Sequence, residues 1–431
     1  MKIFQNKFIT STFILILSGM ATKVLGLIIK ILFTRIVGTT TISLYTIVMP
    51  TYSLLLTICT LAMPTTISKL IAQKEDIKVL NSATIIILII NTLMIALMFV
   101  FAPFIANHLL KEPDAYPLLI AMSFTLPFAS LACILKGYYY GKQKMIPHVA
   151  SNTVEQLIRL SLVLTIMPKL IKISYVHAAT GLILTSFVTE FASIIVFLLF
   201  MKKNDVINLA KIKYSANDSK NILALSIPSV ASRIIGNICY FFEPIILTNI
   251  LLYKGYTNDY ILLQYGAYNA YAISTLTIPS FFITAIASAL IPEIAKYLQT
   301  KNICLVKKRL KQAFIFSFFI GLSFTFIIFV LRNDLLMFLY NTTLGTNFIK
   351  ILAPFFILFY FESIFASFMQ AIGQTKTTFK ITIITSIIKL LCIIIFSKYG
   401  IYTLLISEVI NIILVIILNY CATKNFFLQN H

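Results

Sequence analysis

Long blocks of apolar residues alternate along this chain with short polar stretches. Each block runs to roughly 20 residues or more, the length an α-helix needs to cross about 30 Å of hydrocarbon. The blocks lie near 8–33, 42–68, 80–106, 116–141, 149–169, 175–200, 222–252, 261–291, 312–331, 346–371, 379–397 and 400–421. Inside lipid the backbone must satisfy its own polar groups, so blocks of this length predict helices. Strands of a β-barrel would be about ten residues long with strict alternation, a pattern not found here. The pattern predicts an all-α, polytopic transmembrane helix bundle of about 12 spans. The first block follows Met1-Lys2 as a signal peptide's would, but it continues to Phe33 without a small-residue cleavage site, so it reads as a retained span.

The longest polar interruption, 202–220, contains KKND and KIKYSANDSK. It divides the chain into an N-terminal six-helix lobe (1–201), a cytoplasmic linker (202–221) and a C-terminal six-helix lobe (222–431). The halves resemble each other. ATKVLG at 21–26 matches ASRIIG at 231–236, with a cation at the same place. Tyr45, Pro50 and AMPTTISKLIAQ in the second block match Tyr271, Pro279 and ALIPEIAKYLQ in the eighth; GKQK at 141–144 matches GQTK at 373–376. Similarity between unrelated apolar helices would explain one match more easily than three in matching order. Six spans per half give both halves one orientation, a parallel repeat, and transporters of that plan hold substrate near the midplane around a central cavity.

Composition sharpens this reading. Of 431 residues, 59% are apolar and 11% charged, with a mean hydropathy of +0.94, which excludes a water-surrounded fold. The net charge of +21 does not point to nucleic acid, because the cations are spread over short loops. With the N-terminus inside, 22 Lys and Arg fall on the inner side, including five at 202–220 and six at 296–311. Eight fall outside: Arg35, Lys111, Lys169, Lys172, Lys254, Arg332, Lys350 and Lys398. That asymmetry places both termini in the cytoplasm of a multi-pass protein of the bacterial inner (plasma) membrane. Six scattered cysteines and four histidines show no metal-ligand or disulfide spacing. Trp is absent, so Tyr138-Tyr139-Tyr140 at a span end are expected to serve as interfacial aromatics.

Charges within spans need a reason, since one at the bilayer centre costs roughly 2.5–3.5 kcal/mol on insertion scales. Gly19, Lys23, Gly26 and Lys30 share one face of the first span, suited either to a cavity or to a close helix contact. Arg233, Gly236, Tyr240 and Glu243 make the corresponding stripe on the seventh. One reading is an anion-binding cavity; the other is a structural ion pair of these cations with Glu243 or Glu155. On the fifth span Asn152, Glu155, Gln156 and Arg159 form a polar face on which Glu155 and Arg159 can pair at i, i+4. Lys389 lies mid-span in the eleventh with no acid on its own helix, so it meets either substrate or Glu362 or Glu408 elsewhere. The candidate substrate-binding residues are Lys23, Lys30, Arg233, Arg159 and Lys389; Glu155 and Glu243 are candidates for ion coupling or structural pairing. Prolines 50, 64, 127, 228, 279, 292 and 354, within or at the ends of spans, permit bends that alternating access or plain packing can use.

GMATKVLGLIIKILFTRIVG followed by LYTIVMPTYSLLLTICTLAMPTTISKLIAQ resembles the opening of the stage V sporulation protein B-like group. That group belongs to the polysaccharide-biosynthesis (oligosaccharide flippase) branch of the multidrug/oligosaccharidyl-lipid/polysaccharide (MOP) flippase superfamily. GKQKMIPHVASNTVEQLIRL, TLTIPSFFITAIASALIPEIAKY and MQAIGQTKTTFKITIITSIIKL resemble later segments of the same group, so the likeness covers nearly the whole chain. It puts Glu155, Gln156, Arg159 and Lys389 on matching positions. The resemblance implies two bundles around a cavity, no cofactor, no hydrolytic site, and transport of an undecaprenyl-diphosphate-linked glycan such as a peptidoglycan precursor from inner to outer leaflet. Members usually have fourteen spans, against twelve here.

Independently, a diphosphate calls for cations in a water-accessible, low-dielectric cavity, where charge-assisted bonds are strong. Lys23, Lys30 and Arg233 are suited to supply them. The alternatives are a multidrug (MATE-type) exporter coupled to a proton or sodium ion, for which Glu155 and Glu243 speak, and a non-transporting scaffold of cell-wall assembly. An enzyme is not indicated: no catalytic triad, metal cluster or phosphate loop is present.

Overall fold

A computed structural model describes residues 7–74, 78–203 and 215–429. Residues 204–214, most of the expected linker, lie outside the described residues. Every regular element among the described residues is helical, as expected of a chain whose backbone must be satisfied in lipid. Among the described residues, ten helices are long and apolar enough to cross a membrane. The first of these, Ala21–Gln73, spans two of the expected blocks; the fifth block, Ile146–Leu170, is helical but more polar and is not among the ten.

The chain divides into two compact units, Met1–Phe241 and Phe242–His431. The division falls inside one long helix rather than at 202–221. In the first unit α1 (Lys7–Thr60) is broken at Gly38, whose φ of 78° and ψ of 179° suit a residue without Cβ. The segments before and after this break correspond to the first two expected spans. Leu61 and Ala62, both left-handed, then separate α1 from α2 (Met63–Lys74), and Pro64 sits at the start of α2 where no helical N–H is needed. There follow α3 (Lys78–Phe104), α4 (Ala115–Gly141), α5 (Ile146–Leu170) and α6 (Tyr175–Leu199).

Helix α4 lies against α2 at backbone contact. A Cβ on Gly137 would stand 2.9 Å from Ile67 Cβ, and one on Gly141 2.8 Å from both Ile71 Cβ and the Ser68 carbonyl. Small residues four apart are the usual means of such an approach in membranes. Around this contact Met63, Ile67, Leu80, Tyr138, Tyr139 and Phe197 form an apolar core. The expectation that Tyr138–Tyr140 are interfacial is corrected here for the first two. Tyr138 and Tyr139 are each 2% exposed, and the Tyr139 hydroxyl donates to the Phe197 carbonyl at 2.7 Å. Burial is tolerable because that hydroxyl has found its acceptor.

Helix α7 (Ala216–Tyr253) begins in this unit. Ile222 and Val230 belong to its core. Ser226 Oγ donates to Thr66 Oγ1 at 3.2 Å and Asn237 Nδ2 to Thr57 Oγ1 at 2.6 Å. Residues 222–241 therefore pack with the first unit, although the charge pattern groups them with the second half.

The second unit continues from Phe242 through α8 (Asn258–Gly266), a π-helical stretch Ala267–Ile273, and the short turn Ser274–Leu276. Then come α9 (Ser280–Gln299), α10 (Ile303–Val330), α11 (Arg332–Tyr340), α12 (Thr346–Ala371), α13 (Thr375–Ile395) and α14 (Thr403–Gln429). The eighth block was expected as one helix and is broken before Pro279, which has no N–H to give. The Thr275 carbonyl accepts instead from Ile278 N at 3.2 Å, and Leu276 O accepts the Tyr360 hydroxyl at 2.7 Å.

The reversals α4–α5, α9–α10 and α12–α13 share one device. Gln143, Lys301 and Gly373 are left-handed. The next N–H, of Lys144, Asn302 or Gln374, reaches back to the carbonyl of Tyr139, Tyr297 or Met369 at 3.0, 2.9 and 2.9 Å. That is the Schellman closure of a helix end, and it gives GKQK and GQTK a common structural role.

Candidate functional site

The in-span charges of the first unit gather where α1, α4, α5 and α6 pack. Arg159 Nη2 donates to Glu155 Oε1, one turn earlier on α5, and to Thr189 Oγ1 on α6, each at 3.1 Å. The i, i+4 spacing places the first partner. The second follows from close α5–α6 packing, where Ser151 and Ser193 hydroxyls meet at 2.6 Å. Glu190, beside Thr189, interacts electrostatically with Glu155, Lys136 of α4 and Arg159. Tyr52 of α1 interacts with Glu190, Arg159 and Glu155, and its hydroxyl lies 3.2 Å from Thr125 Oγ1. Farther along α5, Asn152 Nδ2 and the Tyr140 hydroxyl both meet His148 Nε2, at 3.2 and 2.9 Å.

The stripe on α1 presents its glycines to space. A Cβ on Gly19 would meet nothing within 4 Å, and one on Gly26 would only touch Gln156 Oε1 at 4.0 Å. Of the two uses open to that stripe, the described residues form no close helix contact at either glycine. Lys23 is exposed on the unit and Lys30 half-buried. Arg233, also exposed, belongs to this same unit, whereas the repeat had assigned it to the other lobe. Lys23, Lys30, Lys136, Arg159 and Arg233 of the first unit thus stand against Glu155 and Glu190, a net positive balance.

A buried cluster in the second unit has the opposite balance. Lys389 of α13 places its Nζ 2.7 Å from Glu243 Oε2 of α7 and 2.7 Å from Glu408 Oε2 of α14. Tyr268, on the π-helical stretch, donates its hydroxyl to the same Glu408 oxygen at 3.2 Å. Glu362 of α12 adds a third carboxylate that acts electrostatically on Glu408. Of the two acids weighed as structural partners for the stripe cations, Glu243 is paired with Lys389. Glu243 is 3% exposed, and a carboxylate so placed requires a counter-charge.

Lys136, Thr189, Tyr52 and Tyr268 were not singled out from the sequence. Lys136 reads there as a loop cation, and nothing in the spacing of Tyr268 marks it. Among the described residues no group of three or more His, Cys, Asp or Glu side chains could hold a metal ion.

Two units of membrane-crossing helices with charged clusters inside their spans suit a membrane transporter or flippase, and the family matches put the chain in the MOP superfamily. The chain belongs to the polysaccharide biosynthesis protein family, whose family model matches residues 8–298; the MatE family model matches residues 244–395. It is 29% identical to stage V sporulation protein B of Bacillus subtilis (strain 168) over 397 residues, 89% of this chain and 77% of that protein. Its fold is similar to an inward-facing multidrug resistance MATE family transporter of the MOP superfamily, with a TM-score of 0.76, 15% identity and 95% of each chain covered. It is also similar to the lipid II flippase MurJ in an inward closed conformation, with a TM-score of 0.72, 17% identity, and 95% of this chain and 87% of that one covered. One fold therefore serves both an exporter and a flippase, and the choice between them rests on the site.

Proposed function

We propose that the protein moves a polyprenyl-diphosphate-linked anionic glycan, such as a peptidoglycan precursor, from the inner to the outer leaflet of the bacterial plasma membrane by alternating access. The observation that carries this reading is the positive balance within the spans of the first unit, where Lys23, Lys30 and Arg233 accompany an already paired Arg159. Cations within a membrane span attract a diphosphate strongly and repel a cationic drug. Open space at Gly19 and Gly26 beside Lys23 and Lys30 leaves room for a head group.

Lys23, Lys30 and Arg233 are the diphosphate-binding residues in this reading. Arg159 orders α5 against α6 and presents its remaining face to substrate, while Lys389 serves the second unit's carboxylates. A coupling ion, proton or sodium, is assigned to Glu155 with Glu190. The family match and the name of the MurJ neighbour support the cargo class. The deciding experiment follows a fluorescent lipid-linked sugar in proteoliposomes. Protein-dependent loss of inner-leaflet label supports the reading; none, together with uptake of cationic dye, overturns it.

The second reading is a cation-coupled multidrug exporter. The MatE match over 244–395 and the excess of carboxylates in the cluster around Lys389 favour it.

A further inference from the structure

Two carboxylate oxygens on helices distant in sequence converge on one point in the second unit, and an ammonium group stands at that point. Lys389 Nζ is 2.7 Å from Glu243 Oε2 and 2.7 Å from Glu408 Oε2. Both acids are largely shielded, with side-chain exposures of 3% and 12%. These separations are at the short end for charge-assisted N–H···O bonds. The Tyr268 hydroxyl closes a further side by donating to Glu408 Oε2 at 3.2 Å. Among the described residues, Glu362 acts on Glu408 and Tyr265 on Tyr268. All of them are acidic or neutral, so Lys389 supplies the positive charge at this point.

We propose that Lys389 is a resident cation. Its ammonium fills the position between Glu243 and Glu408 that a free monovalent metal ion would otherwise take, and it makes this unit independent of Na+ and K+. The chemistry of the position is that of an alkali-cation site: hard carboxylate oxygens, a phenol nearby and little water. Tethering decides the occupant. An ammonium carried on α13 gives up no translational freedom each time it docks, so its effective concentration at the two carboxylates far exceeds that of salt. A free ion would have to displace it and leave an ammonium stranded among apolar helices, which is costly. A tethered cation also cannot leave the cluster for solution, so a transport cycle coupled to a free metal ion would have to bind that ion elsewhere. The inference concerns the ion chemistry of the second unit and does not rest on the proposed cargo.

The test uses the full-length protein in detergent, unfolded thermally in NaCl or in choline chloride at equal ionic strength, with Na+ as the probe. Wild type is expected to melt at the same temperature in both salts. Lys389→Ala is expected to melt lower in choline and to recover saturably with Na+. At about 100 times the apparent Kd the recovery should be roughly 3–6 °C, and adding Glu243→Gln should abolish it. Lys389→Arg, which keeps a tethered cation, is expected to remain indifferent to Na+. A folded Lys389→Ala protein with equal melting in both salts would overturn the proposal. So would a saturable Na+ stabilisation of wild type that disappears in Glu243→Gln, an arm that needs no change at Lys389.

Discussion

Gly137 passes so close to Ile67 that a Cβ added to it would stand 2.9 Å from the Ile67 Cβ and 3.0 Å from the Pro64 carbonyl. Two of those neighbours are fixed by backbone, so the helix cannot absorb a side chain by a change of rotamer. Gly137→Val should force α4 away from α2, at a cost of about 1–3 kcal/mol or more. Gly19→Ala, built into open space, should leave the melting temperature unchanged. Thermal unfolding of the two detergent-solubilised variants checks the contrast, and equal melting would show that the α2–α4 contact is looser than described.

Arg159 is expected to act through structure before substrate. Its pairing with Glu155 is part-exposed, at 28% and 16%, so the ion pair itself should contribute about 1 kcal/mol or less. Arg159→Ala should lower stability modestly, and Arg159→Ala combined with Glu155→Ala should recover most of the loss. If Arg159 contacts cargo directly, the double variant will regain stability without regaining lipid-linked sugar transport. Measuring melting and transport on the same preparations separates the two roles.

The anion-binding role proposed for Lys23 and Arg233 leads to a sharper pattern. Either Ala substitution should abolish transport while leaving the protein inserted, because each removes a costly intramembrane charge. Glu at either position should be worse, since it repels phosphate. Wild-type binding of polyprenyl diphosphate should weaken as salt rises. Unimpaired flipping by Lys23→Ala would remove that residue from the site.

Orientation can be read from cysteine accessibility. With Cys304, which is exposed, as the single remaining cysteine, an impermeant maleimide added outside intact cells should not label the protein. A Lys254→Cys protein lacking the other cysteines should label readily. The reverse pattern would invert the topology drawn from the 22-to-8 division of loop cations.

Much of the fold was legible because membrane helices are specified locally. GKQK and GQTK mark equivalent turns, and the structure shows both closing a helix through a left-handed residue, Gln143 and Gly373. The Glu155–Arg159 pair was legible for the same reason: i, i+4 spacing fixes which side chains meet on one helix. Tyr138 and Tyr139 were misread as interfacial because hydropathy reports how polar a residue is, not whether its hydroxyl has found a carbonyl such as that of Phe197. The boundary near 241 was also hidden. The polar run at 202–220 marks a loop, but the unit to which residues 222–241 attach depends on contacts such as Asn237 with Thr57.

The sequence by itself determined that the chain is a helical membrane protein of repeated design, because hydrocarbon thickness sets segment length and the backbone must be satisfied within each segment. It also determined that five cations, Lys23, Lys30, Arg159, Arg233 and Lys389, lie inside those segments. Spacing on one helix gave Arg159 its acid, Glu155, but only the tertiary structure decided which acids Lys389 meets. Lys389 has no acid on its own helix and finds Glu243 and Glu408 on two others. A charge in a low-dielectric interior takes the counter-charge that packing brings within hydrogen-bond reach, whatever its distance along the chain.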